Sequence, residues 1–232
     1  SNVCIPSNTK VNNKSSVQII YHQYGYINSN VYKGILIEDA VDTLVQKNGK
    51  IFLSGGKYEI WSLNKILGSF GGAIIWCKNI LEYKKIKKIR DSRNRLTHLT
   101  WFLKLLSAKY PFFSPLWFKI ETIGGPIPNW ALKQIFIDIK KWDNIAKERL
   151  KRFKILRQYI PKWIKFSNNR IPCAVPVLVN KKNINSIKNL GMQYGERHFL
   201  LNNNKLIKLF LISTHQDVSI KTLNKIKDIL KK

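Results

Sequence analysis

The chain of 232 residues carries 41 lysine and arginine residues against 13 aspartate and glutamate residues, which gives a formal net charge of +28. Because 44% of the residues are hydrophobic and 12% are aromatic, the composition excludes a disordered basic tail, which lacks the apolar side chains that offset the entropy of ordering. No apolar run approaches the roughly 20 residues that span a bilayer, and the polar residues 1–14 lack the apolar core of a signal peptide.

The basic residues are 33 lysines and eight arginines, spread along the chain. Arginine is favoured for bidentate contacts with nucleic-acid phosphates, so this ratio favours an anionic small substrate or a solvated surface over a nucleic-acid-binding module, which remains an alternative. The cysteines Cys4, Cys77 and Cys173 are widely spaced and form no CxxC pair. The sequence therefore predicts neither a disulfide framework nor a zinc site, and it indicates a cytoplasmic protein.

Short apolar segments in the first eighty residues predict strands of a sheet that is covered on both faces. These segments are 17–21, 34–38, 50–53, 58–61 and 72–76. Residues 79–109 then combine helical spacing with a basic face, and the aromatic, proline-rich stretch 111–128 predicts a loop.

Residues 130–159 have the clearest helical pattern, because their apolar side chains recur at three- and four-residue steps. The pattern beyond this helix alternates between strands and helices. It predicts strands over 174–180 and 206–212, a helix over 181–190, and a terminal helix over 219–230 with Ser219 as its N-cap. The fold class is therefore α/β, with a first part over residues 1–128 and a second over 129–232 that holds the long helix and a small α+β lobe.

One group of residues that could carry chemistry lies where the predicted strands end, which is where ligands gather in α/β sheets. Lys65 could form a Schiff base with an aldehyde cofactor, and Asp39 could keep a pyridinium nitrogen protonated. Ser62, three residues before the lysine, could hydrogen-bond a phosphate. The pair Gly71-Gly72 would let the backbone fold back closely behind the lysine.

The order of these motifs resembles that of the DegT/DnrJ/EryC1/StrS aminotransferases, which are pyridoxal-phosphate (PLP) enzymes of fold type I that act mostly on nucleotide-linked keto-sugars. The motifs are IIYHQYG at 19–25, ILIEDAVD at 35–42, SLNK at 62–65 and GGAII at 71–75. Further along, WALKQIFIDIKKWDNIAKERLKRF at 130–153 resembles the long helix of the family, and PVLVN and THQDVS match its closing lobe. The resemblance runs from about residue 17 to the end of the chain.

The resemblance implies that residues 1–128 form part of a PLP-binding large domain and that 129–232 form the linking helix and small lobe. It implies that Lys65 is the catalytic lysine, that Asp39 pairs with the ring nitrogen and that Ser62 contacts the phosphate. Asp42 occupies the position near the ring hydroxyl where the family more often has Gln or His. The implied reaction, in a homodimer, moves an amino group from an amino acid such as glutamate to a nucleotide-linked keto-sugar.

The sequence also departs from the pattern of the family. An acid at position 42 adds a second negative charge near the ring oxygen, and the family's Tyr-Asn turn before the long helix reads Gly124-Gly125-Pro126. Most of the portion that normally precedes the His-x-Tyr-Gly strand, with its phosphate-binding turn and stacking aromatic ring, is lacking. These departures leave a second interpretation open, in which the chain is a truncated, non-catalytic relative that serves as a scaffold or partner subunit.

Simpler interpretations stand beside these roles. Asp39 can cap the segment that follows it, Ser62 can be a turn residue, and His22 is predicted to be a structural residue at a strand end. The densest basic run, 84–88, is predicted to be a solvated helix face, with a phosphate or acidic-partner site as the alternative.

Overall fold

A computed structural model describes residues 17–28, 35–46, 49–69, 71–92, 97–113, 115–116, 126–192, 195–200 and 205–231. Its strands β1 to β9 are Val17–Tyr21, Ile35–Asp39, Thr43–Val45, Tyr58–Ser62, Ala73–Cys77, Arg170–Pro172, Ala174–Val177, Glu196–Leu200 and Leu206–Ser213. The helices α1 to α7 are Leu63–Leu67, Ile80–Asp91, Thr97–Lys109, Asn129–Lys140, Trp142–Leu156, Lys181–Lys188 and Ile220–Leu230. No helix in these ranges combines the length and the apolar composition that a bilayer-spanning segment needs.

The strands form three sheets within the described residues. The first has the order β1-β2-β4-β5, with β1, β2 and β4 parallel and β5 antiparallel to β4. The second pairs β3 with β6, and the third has the antiparallel order β7-β9-β8. Strands and helices alternate along the chain, so the α/β class predicted from the sequence is confirmed.

Register in the first sheet sends neighbouring residues to opposite faces. Glu38 pairs with Glu59, and Asp39 pairs with Ile60. Because side chains alternate along a strand and register partners share a face, Glu38 and Glu59 lie on one face while Asp39 lies on the other, with Ser62. The Glu38 face is buried. On the Asp39 face the side chains of β1 are exposed, which differs from the expectation of a sheet covered on both faces.

The two buried glutamates fix the segment between β3 and β4. Glu38 Oε2 accepts hydrogen bonds from the backbone N–H groups of Gly55 (2.9 Å) and Gly56 (2.8 Å). Glu59 Oε2 accepts from the N–H groups of Leu53 (2.7 Å) and Ser54 (3.1 Å). The prediction of a strand over 50–53 is therefore wrong, because the backbone N–H of Leu53 donates to a carboxylate and not to a neighbouring strand.

The other predicted strands of the first part are confirmed within one residue, although residue 34 lies outside the described residues. The sequence missed β3, β6 and β8. Strands β3 and β6 have only three residues each, too few for an alternating pattern. Strand β8, with the sequence ERHFL, begins with three polar residues that mask its apolar end.

The helix predicted over 130–159 is two helices, α4 and α5, that meet at Lys141. The break coincides with the anchoring of Trp142, whose Nε1 donates to the Val45 carbonyl at 2.9 Å and whose ring lies 6.1 Å from that of Trp61. The terminal helix is confirmed, and Ser219 caps it by accepting a hydrogen bond from the Thr222 N–H.

One apolar core extends through both predicted parts of the chain. It joins Leu44, Trp61 and Ile66 from the first part to Phe153 and Ile212 from the second. The pairing of β3 with β6 also joins the two parts. The boundary between 128 and 129 stays a prediction, and the Gly124-Gly125 turn before it lies outside the described residues.

The paired glutamates predict opposite pH dependences of stability. Burial raises the pKa of Glu59, against hydrogen bonds from Ser54, Trp61 and Leu53. Burial also acts to raise the pKa of Glu38, but the adjacent His22 imidazole and hydrogen bonds from Gly56 and Gly55 outweigh it and leave that pKa below its ordinary value of 4.5. Glu59 therefore stabilises the fold less as the pH rises above the ordinary pKa of a glutamate. Glu38 stabilises it less as the pH falls below that pKa.

We expect the variants Glu59→Gln and Glu38→Gln to differ in the sign of this effect. The free energy of unfolding is measured by urea titration between about pH 3 and about pH 6. The difference between the wild type and Glu59→Gln should shrink as the pH rises. The difference between the wild type and Glu38→Gln should grow over the same range. Each variant is the matched control of the other. Two differences that do not change with pH would contradict the assignment.

Candidate active site

Lys65 lies on α1, directly after the carboxyl end of β4, and its amine contacts a carboxylate. Lys65 Nζ donates to Asp42 Oδ1 at 3.1 Å, with side chains 46% and 19% exposed. Asp42 lies in the turn between β2 and β3. The ion pair therefore joins the segments that follow two neighbouring parallel strands, a contact that the sequence analysis did not anticipate.

Asp39, the last residue of β2, lies within the electrostatic range of this pair. Burial raises the pKa of Asp39, a hydrogen bond from the Val41 N–H opposes the rise, the Asp42 carboxylate adds to it, and the Lys65 ammonium opposes it. Asp39 Oδ1 accepts from the Val41 N–H at 3.1 Å, so the simple capping role expected of an aspartate is also present. This hydrogen bond to one carboxylate oxygen thus fixes the Asp39 side chain at the carboxyl end of β2.

Ser62 ends β4 and is the N-cap residue of α1, where its side chain makes no capping hydrogen bond. It shares the sheet face of Asp39 through the register of Asp39 with Ile60. The structure therefore places all four residues singled out from the sequence, Asp39, Asp42, Ser62 and Lys65, at the carboxyl ends of β2 and β4 and in the segments that follow them.

The glycines after Lys65 let the chain turn back, as the sequence indicated. Gly72 has a φ of +95°, a value that favours glycine, and its carbonyl accepts from the Leu63 N–H at 3.0 Å. Gly68 ends α1 with a φ of +78°, and a Cβ atom there would lie 2.3 Å from Nε2 of His215. A side chain at position 68 would therefore displace the imidazole.

His22 has the structural role predicted for it. It is 1% exposed, its Nδ1 accepts from the Asn28 N–H at 3.1 Å, and its Nε2 lies 3.4 Å from Glu38 Oε1. These contacts place His22 on the buried side of the sheet, away from the face of Asp39. The basic run 84–88 lies on α2, where Lys84, Lys85, Lys87 and Lys88 are exposed, as a solvated helix face requires.

A cavity of about 240 Å³ opens beside Lys65, on the side of α1 that faces the second part of the chain. Its polar and ionisable side chains are those of Asn64, Lys65, Ser69, Arg149, Cys173, Ser213 and His215. Sequence reasoning assigned a role to none of these except Lys65, because Arg149, Cys173, Ser213 and His215 come from segments far from it in the chain. The signals that could have found Arg149 and His215 are the arginine-rich end of the long helix and the THQDVS segment.

Hydrogen bonds through Gln216 connect Arg149 to α1. Arg149 on α5 is 0% exposed, and its Nε donates to Gln216 Oε1 at 3.0 Å. Gln216 Nε2 in turn donates to the carbonyl of Leu67 at 2.8 Å. The amide of Gln216 therefore fixes the guanidinium relative to the helix that carries Lys65.

The sequence of the whole chain, residues 1–232, matches a family described as "Putative PLP-dependent aminotransferase". The chain belongs to this family of PLP-dependent aminotransferase-like proteins, and pyridoxal phosphate is the cofactor of the family. Comparison with curated proteins gives no match.

Solved structures of fold-type I PLP enzymes share the fold. A DegT/DnrJ/EryC1/StrS aminotransferase from Brucella abortus matches with a TM-score of 0.54 and 10% identity, over 92% of this chain and 63% of that one. The structure titled "Putative sugar aminotransferase Spr1654 from Streptococcus pneumoniae, PMP-form" matches with a TM-score of 0.58 and 11% identity, over 94% and 69%. A phosphoserine aminotransferase from Cytophaga hutchinsonii matches with a TM-score of 0.50 and 15% identity, over 95% and 64%. The chain thus spans under two thirds of the Brucella protein's length.

The residues at the strand ends fit PLP in their chemistry. An aldehyde needs an amine that it can reach, and the side chain of Lys65 is 46% exposed. A pyridine nitrogen needs a carboxylate, and Asp39 is held at the edge of the sheet by the Val41 N–H. A phosphate needs donors, and Ser62 offers a hydroxyl that does not cap its own helix. Asp42 adds a counter-ion for the amine.

The ion pair between Lys65 and Asp42 predicts a change in the reactivity of the lysine. We expect Asp42→Asn to accelerate attachment of PLP to Lys65 by up to about fivefold, because a partly exposed ion pair is worth about 0.2–1 kcal/mol and must break before the amine attacks. The measurement is the rate at which borohydride traps the adduct on the Lys65 peptide. Asp143→Asn, which removes an exposed acid on α5, should leave the rate unchanged. A slower rate in Asp42→Asn would contradict this interpretation.

Proposed function

We propose that the protein is a PLP-dependent aminotransferase of the DegT/DnrJ/EryC1/StrS type in which Lys65 is the catalytic residue. The observation that carries the proposal is the ion pair of the Lys65 amine with Asp42 at the ends of two parallel strands, within the electrostatic range of Asp39. The match of the entire chain to an aminotransferase family supports it.

Each site residue has a distinct part in the proposed reaction. PLP, when bound, supplies an electron sink that stabilises negative charge at the carbon of the substrate. Lys65 would hold the cofactor through its amine and would move the proton at that carbon. Asp39 would accept a hydrogen bond from the ring nitrogen and favour its protonated form, and the Ser62 hydroxyl would donate to the phosphate.

We further propose that the amino group comes from an amino acid such as glutamate and goes to a nucleotide-linked keto-sugar. The resemblance of the four motifs supports this substrate class, and so does the presence of sugar aminotransferases among the similar structures. The phosphoserine aminotransferase among them has the same fold, so the motifs are the more specific support.

A homodimer in the cytoplasm is the assembly and location that we propose. Apolar side chains on one helix support a subunit contact, since Trp130, Phe136 and Ile137 of α4 are exposed and exposed apolar patches mark contact surfaces. The free thiols of Cys77 and Cys173 support a reducing compartment.

One observation favours a second candidate, a non-catalytic relative that serves as a scaffold or partner subunit. The Lys65 amine is already engaged by Asp42, an acid where the family more often has Gln or His. In this alternative the ion pair is a structural contact, and the amine stays unmodified when PLP is present.

Selective attachment of PLP distinguishes the two candidates. After incubation with PLP and reduction with borohydride, we expect Lys65 of the wild-type chain to carry at least about ten times the label of any other lysine, because neighbouring groups set the reactivity of a lysine. Lys65→Ala should abolish this selective label. The control Lys151→Ala removes another half-exposed, ion-paired lysine and should leave the label on Lys65 unchanged.

Peptide mapping by mass spectrometry gives the readout. Label that is spread evenly over the 33 lysines, or that persists elsewhere at full level in Lys65→Ala, would overturn the enzyme proposal and favour the scaffold.

A further inference from the structure

Helix α2 contacts the rest of the protein through one narrow face. It packs against β5, and of its twelve residues, all of which the structure describes, only Glu82 is buried and only Ile86 is partly buried. The Glu82 carboxylate is held by Lys57 and Lys85, each at 3.1 Å, and by the hydroxyl of Tyr58. The remaining surface of the helix is exposed.

Large apolar side chains occupy the first turn of this exposed surface. Ile80 is 61% exposed, Leu81 is 64% exposed and Tyr83 is 47% exposed. Three of the first four residues of α2 are therefore large, apolar and open to solvent. Single exposed apolar residues are common on proteins, whereas neighbouring ones mark a contact surface.

The second and third turns of α2 carry cations. The exposed lysines of these turns are Lys84, Lys85, Lys87 and Lys88. Lys85 pairs with Glu82, but no ion pair within the described part of the chain engages the other three. The acids of the helix do not compensate them, since Glu82 is buried and Asp91 pairs with Arg90 at 2.7 Å.

The apolar and the basic side chains share the outward face of the helix. Ile80, Lys84 and Lys88 lie four residues apart and therefore form one row along the helix surface. Leu81 and Lys87 lie on the two sides of this row, opposite to the side that packs against β5. A single flat partner can thus contact the apolar first turn and the basic turns together.

The surface of an anionic lipid bilayer matches both properties of this face. Its negative potential attracts lysines that lie near the headgroups. Its headgroup boundary accepts aliphatic and aromatic side chains from a helix that lies in the plane of the interface. The long apolar stems of the lysines allow their amines to reach the headgroups while the neighbouring leucine and isoleucine insert.

A nucleic acid matches this face less well. Of the five cations of α2 only Arg90 is an arginine, the side chain that binds phosphates bidentately, and it already pairs with Asp91. Bases stack on aromatic rings, whereas Ile80 and Leu81 are aliphatic. A nucleic acid would therefore use the charge of the helix and leave its apolar turn unused.

We propose that α2 is a docking surface for an anionic lipid bilayer, with Ile80 and Leu81 at the headgroup boundary and Lys84, Lys87 and Lys88 against the anionic headgroups. One helix with few apolar side chains binds reversibly, so the protein would visit the bilayer surface without spanning it. The inference goes beyond the proposed function and does not depend on it, because α2 contributes no residue to the candidate active site.

The test measures how the full chain co-sediments with vesicles of equal parts phosphatidylcholine and phosphatidylserine. The salt concentration is about 0.15 M, where charges are screened beyond about 8 Å. We expect the triple variant Lys84→Gln/Lys87→Gln/Lys88→Gln to weaken binding by about 100-fold, since each lysine near an anionic bilayer contributes about 1 kcal/mol and about 1.4 kcal/mol is a factor of ten.

A matched triple variant separates the local surface from the net charge of the chain. Lys221→Gln/Lys225→Gln/Lys231→Gln removes the same charge from exposed lysines on and next to α7, and it should bind the vesicles like the wild type. Equal weakening by the two triple variants would overturn the proposal, because binding would then follow the overall charge of +28.

The apolar contact has its own pair of variants. We expect Leu81→Gln to weaken vesicle binding by about tenfold, through loss of apolar burial in the headgroup region. Leu178→Gln makes the same exchange at a residue that is 55% exposed and follows β7, and it should bind like the wild type. Both positions are on the surface, so the circular dichroism spectra should match that of the wild type.

Three further results would overturn the assignment to an anionic bilayer. The first is binding to pure phosphatidylcholine vesicles that is as tight as binding to the mixed vesicles. The second is wild-type affinity in Leu81→Gln, since the contact would then be electrostatic alone. The third is displacement of the vesicles by a duplex DNA that binds more tightly through Lys84, Lys87 and Lys88, which would assign the surface to nucleic acid.

Discussion

The buried pair of glutamates on β2 and β4 is the constraint on which the arrangement of the candidate site depends. Glu38 and Glu59 are register partners, and each accepts backbone hydrogen bonds from the segment that precedes β4. Carboxylates can be buried only where such donors satisfy them, so this contact fixes which face of the sheet points inward. With Glu38 held inside, the next residue, Asp39, has to face the opposite way.

The second part of the chain completes the surroundings of Lys65. Helix α5 supplies Arg149, the segment after β9 supplies His215, and Gln216 connects them to the end of α1. The lysine therefore lies between two different environments. On one side are the acids Asp39 and Asp42, and on the other is a cavity with a buried cation.

Local sequence signals were sufficient for the strand ends and insufficient for the cavity. The apolar runs located the strand ends at Asp39 and Ser62, and the resemblance of the motifs to the family identified Asp42 and Lys65 just beyond them. The segment 50–53 was misread because the backbone N–H of Leu53 donates to the Glu59 carboxylate of β4 and not to a neighbouring strand. Arg149 and His215 were not found, because their position near α1 depends on long-range contacts such as those of Gln216, which joins Arg149 to the carbonyl of Leu67. No local pattern encodes such contacts.

The open face of β1 bears on how the protein behaves in solution. In the described part of the chain β1 ends its sheet, and Val17, Ile19 and Tyr21 are about half exposed along it. An apolar edge strand of this kind is a template for association between copies. In dilute buffer the repulsion between molecules that each carry a formal charge of +28 opposes association through this strand. Salt at about 1 M shortens the Debye length to about 3 Å, so colloidal stability depends on ionic strength.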